Sequence, residues 1–163
     1  MADPVVETQF DVVGVGNAIV DVIARSTEEF IVEQGLTKGS MLLIDEERAA
    51  ELYDLVEPEV EASGGSAANT VAGVASFGGR AGYIGKVNDD SLGEIFGADM
   101  RSLGVDFSIP SAGDGPSTAR CIILVTPDAQ RTLNTYLGVS VMLEPADVNP
   151  DVVSAGNILF CEG

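Results

Sequence analysis

The sequence predicts a layered α/β domain, and three observations support that prediction. The spacing of apolar residues alternates along the chain between a period of two, typical of strands, and a period near 3.6, typical of helices. The length of 163 residues suits one compact domain. Apolar side chains make up 45% of the residues, which is enough to form a core. These properties favour a sheet covered by helices over a disordered chain.

The first part of the chain predicts two strands and a helix. A buried strand over Phe10–Val15 runs into a glycine-rich turn, and a second short strand follows over Asp21–Arg25. Asp45 is placed to cap a helix whose first turn is acidic, and that helix is expected to end near Pro58. The charged, glycine-containing stretch 57–65 predicts a loop.

The middle of the chain predicts two more helices with a strand between them. Ala67–Ala75 is a helix of small residues, which allows close packing against a sheet, and Ala81–Gly85 is the next strand. Ser91 and Glu94 form a capping-box pattern at the start of the third helix. Gly104 stands where a helix commonly ends.

The last third changes to a β pattern. Ala119–Val125 and Arg131–Leu137 predict two strands joined by a turn over Thr126–Gln130, which makes a hairpin attached to the α/β body. Met142–Val148 predicts a short helical turn, and Asn157–Cys161 predicts one more core strand.

The charge balance is strongly acidic and limits the expected partners. Asp and Glu number 26 against 8 Lys and Arg, which gives a formal net charge of −18. Such a surface repels phosphate backbones and anionic lipids, so neither nucleic acid nor a membrane surface is an expected partner. A merely soluble acidic surface and an adaptation to high salt both fit this composition.

Cysteine and histidine usage narrows the chemistry. Cys121 and Cys161 are expected to be small core residues in strands, not a disulfide framework or nucleophiles. The chain has no histidine, which excludes a Ser-His-Asp hydrolase or a histidine-ligated zinc site within these residues. Met1–Pro4 lacks the basic start of a signal peptide and no apolar run matches a membrane span, so a cytoplasmic protein is expected.

Two short strings of small residues point to a site for a ligand with several hydroxyl groups. Gly14–Asp21 and Gly64–Asn69 each join glycines to an asparagine, and the first adds a carboxylate. Glycines let backbone N–H groups approach a ligand, and Asn and Asp side chains pair with vicinal hydroxyls. The first string begins like a dinucleotide-binding fingerprint, but Ile19 takes the place of its third glycine, so a nicotinamide or flavin site is disfavoured.

In this order, the motifs resemble those of the ribokinase, or PfkB, family of sugar and nucleoside kinases. Residues 16–21, 62–67 and 134–138 are most similar to those of bacterial adenosine kinase-like proteins. The resemblance to the family spans nearly all of the chain, as the N-terminal half of a family member. The segments that carry it are Gly14–Asn17 with Asp21, Gly64–Asn69, Gly78–Val87, Asp89 and Asp90 with Gly93, Leu103–Val105, and the Thr118–Leu137 hairpin.

The resemblance implies a ribokinase-like fold: a Rossmann-like parallel sheet with flanking helices, plus a small β-strand lid. Residues 1–163 would form the N-terminal part of the kinase domain, with lid strands at about 21–43 and 117–137 inserted in the α/β body. The chain is expected to be truncated before the ATP-binding half, which leaves an open apolar sheet edge at the Ile158 strand.

The resemblance also assigns site residues. Asp21 is implied to accept hydrogen bonds from two ribose hydroxyls, because a carboxylate can do so in a fork geometry with strong, charge-assisted bonds. Further hydroxyl contacts are implied for Asn17 and Asn69. The floor of the site is implied to be the backbone at Gly64, Gly65 and Ser66. The side chains implied to face a base are Ile19, Leu133, Thr135 and Leu137, of which the last three share one face of a strand.

The phosphoryl chemistry is implied to lie outside these residues. Family members carry a Gly-Ala-Gly-Asp motif in their second half, where its Asp is the base and where ATP binds with magnesium. The similar string Ala112–Gly115 lies among turn-forming residues with no helix pattern after it, so Asp114 is interpreted as a loop residue and not as the base. ATP and Mg²⁺ are therefore expected cofactors of the full-length protein, with no catalytic or metal-binding residue expected here, and the chain alone is predicted to be inactive.

The implied function is the substrate-binding half of an ATP-dependent kinase that phosphorylates the 5′-hydroxyl of an adenosine-like nucleoside. A sugar kinase for ribose, fructose or a related furanose stays open, because Asn17, Asp21 and Asn69 recognise hydroxyls and not a base. A non-catalytic nucleoside- or sugar-binding module also stays open. Self-association through the lid or the open sheet edge is a further expectation.

Overall fold

Two β-sheets form the framework of the protein, whose computed structural model describes residues 8–107 and 113–162. The first sheet contains, in spatial order, Val105–Asp106 (β6), Ala81–Ile84 (β5), Phe10–Val15 (β1) and Gly156–Cys161 (β9). The second contains, in spatial order, Met41–Leu43 (β3), Arg131–Tyr136 (β8), Ala119–Val125 (β7), Ile19–Arg25 (β2) and Val60–Gly64 (β4).

The helices connect and cover these sheets. They are Glu28–Glu33 (α1), Glu46–Leu55 (α2), Ser66–Ser76 (α3), Ser91–Ser102 (α4) and Pro150–Ser154 (α5), with 3-10 turns at Gly138–Met142 and Pro145–Asp147. Asp45 caps α2, as predicted, since its side chain accepts a hydrogen bond from the Arg48 N–H.

The first sheet is parallel throughout, which confirms the predicted α/β class. β1 lies between β5 and β9, and β5 also pairs with β6. The small-residue helix α3 packs on β1 and β5, as its composition predicts. Tyr83, Phe96 and Phe107 fill the core beside it, with ring centroids 5.2 to 5.9 Å apart.

The second sheet is mixed, and its two faces have different surroundings. β2 pairs in parallel with β7 and antiparallel with β4, while β7 and β8 form the predicted hairpin. Helices α2 and α4 pack against this sheet. Val20, Val22 and Ile122 on the inner face are fully buried. The opposite face, which we call the open face, carries the alternate residues Asp21, Cys121 and others of the same parity.

The prediction of a loop over 57–65 was wrong, because β4 occupies Val60–Gly64. This strand completes the edge of β2, and its polar side chains are held by helices. The Tyr53 hydroxyl donates to Glu61 Oε1 at 2.6 Å, and the Ser63 N–H and hydroxyl both donate to Asp99 Oδ2 at 2.7 Å. Glu61 and Ser63 occupy the positions of β4 that face the helices, and hydrogen bonds satisfy them there. The strand therefore shows no alternation of apolar residues.

Three smaller predictions also differ from the structure. Asp90, not Ser91, caps α4, because its side chain accepts from the Gly93 N–H at 2.8 Å. The helical turn expected over 142–148 is the 3-10 turn Pro145–Asp147, but it is flanked by a second 3-10 turn, Gly138–Met142, and by α5, neither of which was predicted. The last strand, β9, is largely exposed, so Cys161 is not a core residue, whereas Cys121 is buried.

Ion pairs engage both lysines of this acidic chain. Lys38 bonds Glu28 on α1 and Asp128 in the hairpin turn, which ties α1 to the tip of the second sheet. Lys86 donates to Asp147 Oδ2 at 2.8 Å. Within 8–107 and 113–162, no helix combines the length and apolar character needed to cross a membrane.

Candidate functional site

A cavity of about 250 Å³ lies where β1 ends and α3 begins. It is lined by Asn17, Ile19, Gly65, Ser66, Ala67 and Glu162. The first two belong to one of the glycine strings and the next three to the other, so the fold brings the two strings together. Such a position, outside the carboxyl end of a parallel strand, is where open α/β sheets hold ligands.

The turn after β1 is fixed by its neighbours in the first sheet. The Gly16 N–H donates to the Ile84 carbonyl at 3.2 Å, and the Tyr83 hydroxyl donates to the Gly16 carbonyl at 2.9 Å. Burial raises the pKa of Tyr83 well above its ordinary value, so this hydroxyl keeps its proton. The Glu162 N–H donates to the Val15 carbonyl at 2.9 Å, which brings the end of β9 to the cavity.

Gly65 forms the junction between β4 and α3. Its φ of +93° lies in the left-handed region, and a Cβ there would overlap the Asn17 carbonyl oxygen. No side chain caps α3, so the first N–H groups of this 11-residue helix are not bonded by a capping residue. Backbone donors at the start of a helix suit ligand oxygens, which supports the predicted role of the Gly64–Ser66 backbone as a floor.

Asp21 lies over Gly64, across the pair of strands β2 and β4. A Cβ on Gly64 would stand 2.5 Å from Asp21 Oδ2, so the carboxylate occupies space that only glycine leaves free. Burial raises the pKa of Asp21, and the positive charge of Arg131 partly opposes that shift. Within residues 8–107 and 113–162, no hydrogen-bond donor contacts this half-buried carboxylate, so it is suited to accept bonds from a ligand.

Cys121 is a site candidate that the sequence analysis missed. It lies opposite Asp21 on β2 and opposite Thr135 on β8, so the three form one row across the open face. The Thr135 hydroxyl donates to Cys121 Sγ at 3.2 Å. Burial raises the pKa of Cys121 to about 11, and the nearby Asp21 charge adds to that effect. Only the pairing of β2 with β7 reveals this row, and those strands lie about a hundred residues apart in sequence.

Of the remaining predicted residues, Ile19 lines the cavity, whereas Leu133, Leu137 and Asn69 are not among its lining residues. Ile19 and Leu133 have the same parity as Asp21 and Thr135, so they lie on the open face. Leu137 lies beyond the end of β8 and precedes a 3-10 turn. Asn69 is exposed on α3, three residues after Ser66 and thus on the same side of the helix.

Asp114 is an exposed residue in a bend, flanked by glycines with positive φ, and the next regular element is β7. No helix begins at this bend, so its surroundings fit a loop and not an anion-binding turn. Ala112, the start of the similar string, lies outside the described residues. Among the residues that the structure describes, no group of three His, Cys, Asp or Glu side chains is arranged to hold a metal ion.

The fold and the cavity together define a class: α/β proteins with a parallel sheet that hold a small ligand at the carboxyl ends of the strands. More narrowly, the sequence pattern of the pfkB family carbohydrate kinases matches residues 11–163. The chain belongs to this family.

Two solved structures are similar to this chain over 94% of its length. An adenosine kinase from Sinorhizobium meliloti is 53% identical with a TM-score of 0.84, and a probable sugar kinase protein from Rhizobium etli CFN 42 is 50% identical with a TM-score of 0.85. In both cases, the match covers 47% of the other chain. A probable fructokinase-3 from Arabidopsis thaliana is 29% identical over 101 residues, which are 61% of this chain and 29% of that protein. The chain therefore spans about half the length of its solved relatives.

Proposed function

We propose that this chain is the substrate-binding part of an ATP-dependent kinase that transfers phosphate to the 5′-hydroxyl of a nucleoside, with adenosine as the substrate. The observation that supports this most is the cavity made jointly by the two glycine strings, with Asn17 and Ile19 from one and Gly65 and Ser66 from the other. The 53% identity to an adenosine kinase favours a nucleoside as ligand.

In this proposal, the polar residues hold the sugar ring. Asp21 accepts hydrogen bonds from two ribose hydroxyls, and its raised pKa is consistent with a carboxylate whose bonding capacity a ligand completes. The amide side chains of Asn17 and Asn69 donate to and accept from further hydroxyls. The backbone at Gly64, Gly65 and Ser66 forms the floor.

The open face of the second sheet supplies the contacts for a base. Ile19 and Leu133 are apolar and half-buried, and they flank the row of Asp21, Cys121 and Thr135. A flat purine buries apolar area on such a surface, whereas a free sugar leaves most of it uncovered. Leu137 stays a prediction as a contact, because it lies past the end of β8.

A sugar kinase acting on fructose, ribose or a related furanose is the second candidate. The Rhizobium etli relative is named a probable sugar kinase, and the Arabidopsis thaliana relative a probable fructokinase. The hydroxyl-binding residues suit either ligand, so a nucleoside and a free sugar differ in the contacts that they make with the open face. A binding module without catalysis is the third candidate.

We further propose that ATP and Mg²⁺ act in the longer kinase and that these 163 residues alone transfer no phosphate. The sequence contains no Gly-Ala-Gly-Asp string, and Asp114 lies in an exposed bend. Among the described residues, no cluster of acidic side chains is arranged to hold a magnesium ion, so we derive no catalytic step from them. A cytoplasmic location stays a prediction from the sequence.

Titration calorimetry with adenosine, ribose and fructose tests these proposals directly. We expect adenosine to bind to the chain and the two sugars to bind more weakly, because they leave the open face uncovered. Binding of fructose or ribose without adenosine would instead support the sugar kinase. In a coupled assay with ATP and Mg²⁺, we expect no ATP consumption with any of the three ligands. Clear turnover would contradict the proposal that these 163 residues alone transfer no phosphate.

Self-association is a separate proposal that rests on two exposed apolar surfaces. Met41 and Leu43 on the open face are 59% and 63% exposed, and Ile158 on β9 is 59% exposed. We expect size-exclusion chromatography to show a dimer whose population rises with protein concentration. Loss of that dimer in Leu43→Glu would assign it to the lid, and loss in Ile158→Glu to the sheet edge. A monomer at every concentration would contradict the proposal.

A further inference from the structure

The segment Asn88–Asp90, at the N-terminus of α4, lies outside the residues that line the cavity, yet the side chains of Asn88 and Asp90 are bonded to neighbouring elements. The Asp90 carboxylate divides its two oxygens between two elements. Oδ1 accepts from the Gly93 N–H at 2.8 Å and caps α4. Oδ2 accepts from the Thr118 N–H at 2.8 Å, at the residue that precedes β7. Asp90 therefore joins a helix of the body to the start of the central hairpin.

Thr118 is held from a second direction by Asn88. The Thr118 hydroxyl oxygen accepts from the Asn88 N–H at 2.9 Å, and the Asn88 side-chain amide donates to the Pro116 carbonyl at 3.0 Å. Thr118 has no exposed surface. Buried hydrogen bonds to a charged group are strong and costly to lose, so the start of β7 is fixed relative to α4.

The neighbouring residue, Ser117, adds a link to α2. Its hydroxyl donates to Glu46 Oε1 at 2.8 Å, and its carbonyl accepts from the Val139 N–H at 3.1 Å, just after β8. The two ends of the β7–β8 hairpin are thus tied together at the same point. We call Ser117 and Thr118 the hairpin root.

The hairpin root stands close to the site along β7. Cys121 is three residues beyond Thr118, and the parallel pairing of β7 with β2 sets Cys121 opposite Asp21. The antiparallel pairing of β7 with β8 then sets Thr135 opposite Cys121. A displacement of the hairpin root would move this row relative to the cavity, because Cys121 is only three residues from Thr118 and pairs with residues of both neighbouring strands.

We propose that Asp90 is a positioning residue of the ligand site, which acts by anchoring the hairpin root through Thr118 and so placing Cys121 and Thr135 against Asp21. The effect on ligand binding rests on the proposed function, whereas the anchoring of β7 does not. Burial raises the pKa of Asp90, but the hydrogen bonds from Thr118 and Gly93 outweigh burial and hold the pKa below its ordinary value. The anchor is therefore charged at neutral pH.

The test uses Asp90→Asn and Asp90→Ser, with Asp45→Asn as a matched control. Asn and Ser are both good N-caps, so either can keep α4 capped, but neither offers a second carboxylate oxygen to Thr118. Asp45 caps α2 through the Arg48 N–H at 2.9 Å and has no bond to the hairpin root. Hydrogen exchange of the unliganded proteins and adenosine titration are measured for all variants.

We expect both Asp90 variants to exchange the β7 amides about tenfold faster than the wild type, with α4 amides less affected, and to bind adenosine about tenfold more weakly. Asp45→Asn should leave β7 exchange and adenosine affinity unchanged. Equal β7 exchange in the Asp90 and Asp45 variants would overturn the anchor. Faster β7 exchange with unaltered adenosine affinity would overturn the positioning role. A wild type that binds no adenosine would contradict the proposed function, while the exchange rates of the unliganded variants would still decide the anchor.

Discussion

Asp21→Asn is expected to weaken adenosine binding by about 10- to 100-fold and to raise the thermal stability of the unliganded chain at neutral pH. The first effect follows because asparagine cannot accept two charge-assisted hydrogen bonds from vicinal hydroxyls. The second follows because the carboxylate of Asp21 is half-buried, and burial raises its pKa above the ordinary value. A charged group that strengthens ligand binding but lowers the stability of the unliganded protein should show both effects when it is replaced.

The pH dependence of the stability effect has a definite sign. Because the folded-state pKa of Asp21 is raised above its ordinary value of 3.8, the folded state binds the carboxyl proton more tightly than the unfolded state. The stability that this proton contributes is present below pH 3.8 and is lost as pH rises through the folded-state pKa. The advantage of Asp21→Asn should therefore be small in acid and appear as pH rises above that window. Thermal melts at several pH values measure it.

Asp106→Asn is the control for these melts, since Asp106 is an exposed strand residue on β6. It should leave adenosine affinity and the thermal stability at neutral pH nearly unchanged, because an exposed substitution away from the site has little effect. A loss of stability in Asp21→Asn at neutral pH would contradict the assignment of Asp21 as a binding group whose buried charge destabilises the unliganded fold. An unchanged adenosine affinity would remove it from the site.

Gly65→Ala is expected to have the largest structural effect of any single substitution considered for this chain. Alanine at a φ of +93° is strained, and its Cβ would overlap the Asn17 carbonyl oxygen. Together, these costs should lower the free energy of unfolding by about 2 to 5 kcal/mol. Chemical denaturation measures that loss, and we expect adenosine binding to be lost as well, because the cavity is built from both Asn17 and Gly65.

Two companion variants separate strain from site geometry. Gly73 lies in α3, and a Cβ there would meet no atom within 4 Å. Gly73→Ala should therefore raise the free energy of unfolding by about 0.5 to 1 kcal/mol and leave adenosine binding unchanged. Gly64→Ala should displace the Asp21 carboxylate and weaken adenosine binding about tenfold, with a smaller stability loss than Gly65→Ala. If Gly64→Ala bound adenosine as well as Gly73→Ala does, the carboxylate would not be positioned by Gly64.

Local patterns in the sequence were sufficient to predict strands and helix caps that depend on neighbouring residues. Phe10–Val15 forms the predicted first strand, and Asp45 caps the predicted helix. The two glycine strings meet at one cavity because Ile19, at the start of β2, pairs with Gly64, at the end of β4. The order of these motifs along the chain gave the family resemblance, which no single motif gives alone.

The features that sequence reasoning missed depend on contacts between distant residues. β4 lacks an apolar alternation because Glu61 and Ser63 are satisfied by side chains from α2 and α4. Cys121 faces Asp21 through a pairing of strands that no local pattern encodes. The exposed position of Cys161 reflects the location of β9 at the sheet edge. In each case, tertiary pairing determines the outcome and local preference does not.

The unequal surroundings of the two cysteines give the chain a native attachment point for a spectroscopic probe. Cys161 is exposed, whereas Cys121 is buried and keeps its proton at neutral pH because its pKa is raised to about 11. Thiol alkylation needs both access and a thiolate, so a maleimide dye is directed to Cys161. That residue precedes Glu162, which lines the cavity. A fluorophore placed there sits beside the ligand site without any engineered cysteine.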